Sequence, residues 1–407
     1  MSILPISSDF RTGLLPNGLR FIHHPIDSQV VYCGIAVRAG TRNEEPTQQG
    51  LAHFCEHLTF KGTARRSAVQ IINAIEGVGG ELNAFTNKED TVFYCAIQKD
   101  HFRKAYDVLT DMVFNSQYPQ TEVEKEREVV CDEIESYEDS PAELIYDEIE
   151  NILFEGHPLG HNILGSSEQI RSYNSEDARR FTRKWYHPEN CVLFVSGATP
   201  FFPTGTTVST NQPAVDNGSH SEAKLGGFIV RQRGTHQAHV MMGTRAYASS
   251  DPRRWALYLL NNIIGGPAMN SRLSLSLRER HGLVYTVESS MTCYSDMGLW
   301  TVYFGCDQHD VRRCCRLVNH ELERLMEKPL SASQLAAAKR QLQGQLAVAC
   351  DNREQFSLDF ARTFLFTGKI RTLTDVVKHI DSLTPEDLQL TAQDLFAPER
   401  ITTLVYE

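Results

Sequence analysis

Residues 30–37 read Val-Val-Tyr-Cys-Gly-Ile-Ala-Val, and residues 47–60 read Thr-Gln-Gln-Gly-Leu-Ala-His-Phe-Cys-Glu-His-Leu-Thr-Phe. The first run is β-branched and mostly apolar, which predicts a buried strand. The second follows Pro46, a residue suited to a helix start, and stops short of Gly62. That pattern predicts a helix over 47–60. Upstream, Leu15-Pro16-Asn17-Gly18-Leu19-Arg20-Phe21 sets Asn-Gly between apolar stretches, a hairpin signal. Downstream come a helix over 68–78 closed by Gly79-Gly80, strands at 81–86 and 91–97, helices at 121–138 and 142–154, and a strand at 191–196.

Residues 199–221 then collect Pro, Gly, Ser, Thr and Asn with almost no aliphatic run, which reads as a linker. After it the order restarts. Strands are expected at 227–231 and 238–243, helices at 252–264 and 271–280, paired strands at 284–293 and 298–306, and a long helical region follows. The repeated order predicts an α+β chain of two duplicated α/β-sandwich domains, each a mostly antiparallel sheet covered by helices. The expected domains are residues 1–198 and 223–407, joined by a linker at 199–222.

The 407 residues are 41% apolar and 22% charged, enough for sizeable cores and unlike a disordered or low-complexity chain. Lys and Arg total 40 against 51 Asp and Glu, a net charge of −11. An acidic chain with no basic block argues against nucleic acid and anionic membrane as partners. No run approaches 18 apolar residues, and the first residues carry neither a secretory nor a transit pattern. Ten cysteines are scattered without a CxxC pair. Reduced thiols and a cytoplasmic location are expected.

His53-Phe54-Cys55-Glu56-His57 carries the chemistry. Histidines at i and i+4 share a helix face, so both rings can reach one metal ion. Glu56 adjoins that stripe, too close to be a third ligand and well placed to hold a metal-bound water. This is the inverted zincin pattern H-x-x-E-H. Two imidazoles and one carboxylate suit zinc and leave a fourth position for water. The third ligand comes from elsewhere. The acidic run from Glu122 offers Glu126 and Glu133, seven residues apart and on one helix face, with Val129, Val130 and Ile134 expected to pack inwards. Cys55 and Cys131 lie near these helices and read as core residues rather than ligands. His23, His24, His236 and His239 have no matching carboxylate and read as structural or solvent-facing.

With these motifs the sequence resembles the pitrilysin-type, inverted-zincin metallopeptidases. The likeness is to their half-length members, which include the β subunit of the mitochondrial processing peptidase and bacterial homologues. The flanking stretches Gly40-Thr41-Arg42-Asn43-Glu44, Phe60-Lys61-Gly62-Thr63, Leu82-Asn83-Ala84-Phe85-Thr86 and His157-Pro158-Leu159-Gly160 fit it. So does Leu277-Arg278-Glu279-Arg280-His281-Gly282-Leu283-Val284-Tyr285, so the resemblance spans both halves.

The resemblance implies one zinc ion per chain, held by His53, His57 and Glu133, the last of these 76 residues beyond His57. It implies Glu56 as general base and Glu126 as the group orienting a ligand histidine. Arg278 and Tyr285 match a pair that binds substrate and stabilises the oxyanion. Asn83, Ala84 and Phe85 fall on an edge strand that pairs with the substrate backbone, and Glu143 and Asp147 match acids that recognise basic substrate residues. A chain of this length supplies half of a substrate-enclosing chamber. That implies a peptide substrate and a homodimer, or a heterodimer with a homologous subunit, with Arg278 and Tyr285 acting across the interface. The expected activity is zinc-dependent endopeptidase cleavage of peptides or short unfolded chains. The alternatives are a non-catalytic scaffold or partner subunit of the same fold, and a zinc hydrolase with a non-peptide substrate.

Overall fold

A computed structural model describes residues 10–199 and 225–407, so most of the expected linker lies outside the described residues. The first half of the chain contains strands β1 (Arg11–Leu14), β2 (Arg20–His24), β3 (Val30–Val37), β4 (Glu81–Thr86), β5 (Thr91–Gln98) and β6 (Cys191–Ser196). Its helices are α1 (Leu51–Thr59), α2 (Ala68–Glu76), α3 (Phe102–Asn115), α4 (Gln120–Glu138), α5 (Pro141–Leu153), α6 (Ser167–Ser172) and α7 (Ser175–Trp185). The second half contains β7 (Gly227–Arg231), β8 (Ala238–Ala246), β9 (Val284–Cys293), β10 (Gly298–Cys306) and β11 (Thr402–Tyr406). Its helices are α8 (Arg254–Gly265), α9 (Val311–Glu327), α10 (Ala332–Ala349), α11 (Arg353–Thr367), α12 (Leu373–Ser382) and α13 (Pro385–Leu395), with a π-helical segment at Ser274–Arg280.

The strands form two sheets, ordered β1-β2-β6-β3-β5-β4 and β7-β11-β8-β10-β9. In each, one pair is parallel (β2 with β6, β7 with β11) and the remaining neighbours are antiparallel. Apart from β1, the two sheets have the same topology, which is the duplication read from the sequence. The fold is α+β with two units.

Both faces of each sheet are covered. Along β3, Val31, Cys33, Ile35 and Val37 point into one core with α1, α2 and α3, while Ala36 points into another. Strands buried on both faces read as continuous apolar runs, which is why 30–37 shows no alternation. The second face of the first sheet is covered by α11. Leu358, Phe360, Ala361, Phe364 and Leu365 pack on Ile22, Ala36, Val92, Val192 and Phe194. The second face of the other sheet is covered by α5, whose Leu144, Ile145, Ile149 and Leu153 meet Met241, Leu299, Leu404 and Tyr406.

The compact units are therefore not contiguous. One contains residues 10–136, 161–199 and 348–373, and the other 137–160, 225–347 and 374–407. The expected split into 1–198 and 223–407 differs from this at α5 and α11. These helices hold equivalent positions in the two halves, and each lies on the sheet of the other half.

Some local expectations also change. The helix expected from residue 47 begins at Leu51, because Gly50 sits at φ +85°, outside the helical region. Val129, expected to pack inwards, is 49% exposed, whereas Val130 and Ile134 are buried. Helices α3, α6 and α7 and strand β11 lie outside the expected elements, although Phe102, Ala105, Leu109 and Met112 of α3 recur at helical spacing. All ten cysteines are free thiols; Cys33 and Cys95 face each other across β3 and β5 with sulfurs 3.5 Å apart. Among the described residues no helix is long and apolar enough to cross a membrane.

The exchange of α5 and α11 has a direct consequence. A fragment of residues 10–199 leaves Ile22, Val92, Val192 and Phe194 without their covering helix. Such a fragment is expected to lack a cooperative melting transition in calorimetry, and a sharp transition would contradict this account of the core.

Candidate metal centre

Helix α1 is short, and its placement rests on what surrounds it. Leu51, Ala52, Phe54, Cys55 and Leu58 are fully or almost fully buried in the first core. The residues between them, His53, Glu56 and His57, form the opposite stripe. Gly50 and Ala52 donate their amide protons to the Glu44 carboxylate at 3.0 and 2.7 Å, satisfying amides that a helix start leaves unpaired. Glu44 is itself buried and 3.0 Å from His161 Nε2. Burial raises its pKa, against the opposing pull of His161 and the two amides.

Helix α4 is anchored by buried Val123, Val130, Cys131 and Ile134, and it brings two carboxylates to α1. Glu133 Oε2 lies 3.3 Å from His57 Nε2, and Glu133 Oε1 lies 3.8 Å from His53 Nε2. One donor atom from each of His53, His57 and Glu133 falls within 4.8 Å of the others. Two atoms bound tetrahedrally at about 2.0–2.1 Å from an ion stand roughly 3.3–3.4 Å apart. The donor set and its spacing therefore fit zinc. Of the two acids left open by helix spacing, Glu133 faces both histidines.

Glu126 takes the other role. It is buried, and its Oε1 accepts the Nδ1 proton of His57 at 3.2 Å, which directs His57 Nε2 towards Glu133. Lys61 Nζ holds Glu126 Oε2 at 2.6 Å. Burial would raise the Glu126 pKa, but the hydrogen bonds from His57 and Lys61 outweigh it and hold the carboxyl below its usual value. Burial also pulls His57 down, yet Glu126 and Glu133 together raise it to about 9. His53 has only the Glu133 charge to pull it up. Burial and the neighbouring His57 charge push it down to about 4.

Glu56 is buried beside the histidines, and Thr86 Oγ1 donates to its Oε2 at 2.7 Å. Its pKa is raised by burial, against the pull of Thr86 and His57. A carboxylate held in this state is suited to accept a proton. Asn83, Ala84 and Phe85 lie on β4, the edge strand of the first sheet, whose last residue is Thr86. Among the described residues β4 pairs with β5 alone, so its outer edge is open to an extended chain.

Cys55 and Cys131 are both buried and face the carbonyls of Ala178 and Ser167, outside the donor cluster. His23 meets the Gly197 carbonyl at 3.0 Å, His24 stacks on Phe10, and His239 meets the Tyr303 hydroxyl. The sequence assigned no role to Lys61 or Thr86, although both sit in stretches that fit the family. Lys61 follows His57 by four residues, the one local sign of its position.

The remaining expected residues belong to the second unit. Arg278 lies in the π-helical segment, 3.2 Å from Glu279, and Tyr285 on β9 is 88% exposed. Glu143 and Asp147 lie on α5, with Glu143 exposed and Asp147 half-buried and raising the pKa of a Tyr137 phenol already raised by burial.

Residues 22–167 match the sequence model of the family described as Insulinase (Peptidase family M16), and residues 203–342 match that of the Peptidase M16 inactive domain. A Streptomyces coelicolor protein described as an uncharacterized zinc protease is 33% identical over 402 residues, covering 95% of this chain and 87% of that one. The chain belongs to peptidase family M16. The uncharacterized zinc protease YmxG of Bacillus subtilis is 30% identical over 404 residues, covering 96% of both chains. A protease of Helicobacter pylori shares the fold of this M16 chain with a TM-score of 0.89 at 20% identity, over 100% of each chain.

Replacing Glu126 tests the support of the M16 donor cluster. Glu126→Gln removes the charge that orients His57 and is expected to weaken zinc binding roughly 10–100-fold in a competition titration with a chelator. An unchanged affinity would remove Glu126 from the site.

Proposed function

We propose that this M16 chain is a zinc-dependent endopeptidase that cleaves peptides or short unfolded chains. The observation that carries the reading is the convergence of His53, His57 and Glu133, with the buried Glu56 carboxylate beside them. One zinc ion per chain fits that donor set; when bound, it lowers the pKa of a coordinated water and polarises the scissile carbonyl.

Glu56 accepts a proton from the attacking water as the new C–O bond forms. It then returns the proton to the leaving amine as the C–N bond breaks, so the base is regenerated. Glu133 and the two imidazoles stay in place, with Glu126 holding His57 in the tautomer that frees Nε2. The open edge of β4, along Asn83, Ala84 and Phe85, takes the substrate backbone as an added strand, giving affinity with little dependence on side chains. Arg278 and Tyr285 donate to the developing oxyanion. In this reading they act from a second subunit, a homodimer or a homologous partner enclosing the substrate, and Glu143 and Asp147 favour basic residues. Ten free thiols suit a cytoplasmic site of action.

A second reading, a non-catalytic partner subunit, is favoured by the inactive-domain match over residues 203–342. The donor cluster lies outside that stretch, in residues matched by the peptidase model.

Metal analysis combined with a quenched-peptide assay separates the two. Wild type and Glu56→Gln are both expected to hold about one zinc per chain, because Glu56 is not a ligand. The variant is expected to lose about 10²–10⁴-fold in kcat. Zinc-loaded wild type that cleaves no peptide, alone or with a homologous subunit, would support the partner-subunit reading.

A further inference from the structure

Glu56 is held by one hydroxyl. Thr86 closes β4 and is buried, with its Oγ1 2.7 Å from Glu56 Oε2. Its cross-strand partner on β5 is Thr91, whose Oγ1 lies 3.4 Å away. Thr91 donates its own proton to the Ala39 carbonyl at 2.9 Å. A hydroxyl has one proton to give, and the shorter, charge-assisted contact takes that of Thr86.

Thr86 is itself fixed. The turn after it is closed by the Asn87 amide donating to the Asp90 carbonyl at 2.7 Å. Asp90 is fully buried and bound by both Nε and Nη2 of Arg362, on α11, at 2.8 and 2.9 Å. Lys88, also buried, donates to the His161 carbonyl. The hairpin that carries the open edge strand thus also carries the group that touches the candidate base.

We propose that Thr86 is a positioning residue for Glu56. Its hydroxyl holds Oε2 and so fixes the carboxylate rotamer, leaving Oε1 to exchange the proton with water and leaving group. This rests on the peptidase reading above. It also couples the substrate-pairing edge to the base, because strand and hydroxyl move as one element.

The test compares Thr86→Val, which keeps the branched shape and removes the hydroxyl, with Thr86→Ser, which keeps the hydroxyl. Thr86→Val is expected to lower kcat about 10-fold with KM within about twofold, since a misplaced base slows proton transfer without weakening binding. Its zinc content and melting midpoint are expected to match wild type. Its crystal structure is expected to show the Glu56 carboxylate spread over more than one rotamer. Thr86→Ser is expected to recover kcat to within about threefold of wild type. The proposal is overturned if Thr86→Val keeps wild-type kcat, if Thr86→Ser is as slow as Thr86→Val, or if Thr86→Val loses zinc. Active wild type beside an unimpaired Thr86→Val ends this inference alone. Zinc-loaded wild type with no peptidase activity ends the peptidase reading and the inference with it.

Discussion

Everything at the candidate centre depends on the anchoring of nine residues. Isolated helices as short as α1 are unstable in water, so its geometry must be imposed from outside. Its apolar stripe is sunk in the first core, and the Glu44 carboxylate takes two amides at its start. Burying that carboxylate is costly, and its contacts to His161 and the two amides offset the cost. With the apolar stripe fixed, the register of the helix is fixed. His53, Glu56 and His57 then have one direction in which to face.

The second requirement is a partner helix that brings opposite charge. Helix α4 supplies it with two carboxylates seven residues apart, and their environments separate their roles. Glu126 is buried and held between His57 and Lys61, so it cannot swing to reach an ion. Glu133 keeps a side chain that is 45% exposed and faces both ring nitrogens. The same residue type serves as ligand or as support according to burial.

Much of this is legible in the sequence where the signal is local. Histidines at i and i+4 need only helix geometry, and β3 needs only its apolar run. The reading fails where the cause is distant. Pro46 marks a plausible helix start, but the real start is set by the backbone of Gly50 and by Glu44, six residues before it. Glu126 and Glu133 are equivalent by spacing, and the packing of α4 against α1, together with the family resemblance, tells them apart. Val129 fits an apolar stripe by type yet faces outwards, since Val130 and Ile134 already fill the inner face. The exchange of α5 and α11 has no local signature. Each buries apolar side chains, and nothing in its own run marks which of two sheets with the same topology it covers. β11 was hidden by its length of five residues at the end of a helical region.

Duplication also shows why the donor set of His53, His57 and Glu133 has no counterpart on the equivalent helices of the second unit. The helix equivalent to α1 is α8, which reads Arg-Trp-Ala-Leu-Tyr-Leu-Leu-Asn-Asn-Ile-Ile-Gly and carries no His, Asp or Glu. The counterpart of α4 is α10, which carries no acid at all. A polar link between helix and edge strand persists in both units, but its chemistry differs. In the first unit Thr86 of β4 donates to Glu56. In the second, Asn261 of α8 donates to the Ser289 carbonyl on β9, and Ser289 Oγ donates back to the Asn261 carbonyl. The neutral amide satisfies the strand but cannot take up a proton at neutral pH, whereas a carboxylate at the same kind of junction can. Both units therefore place a polar contact between this helix and the edge strand, and in the first unit a carboxylate at that contact is the candidate base.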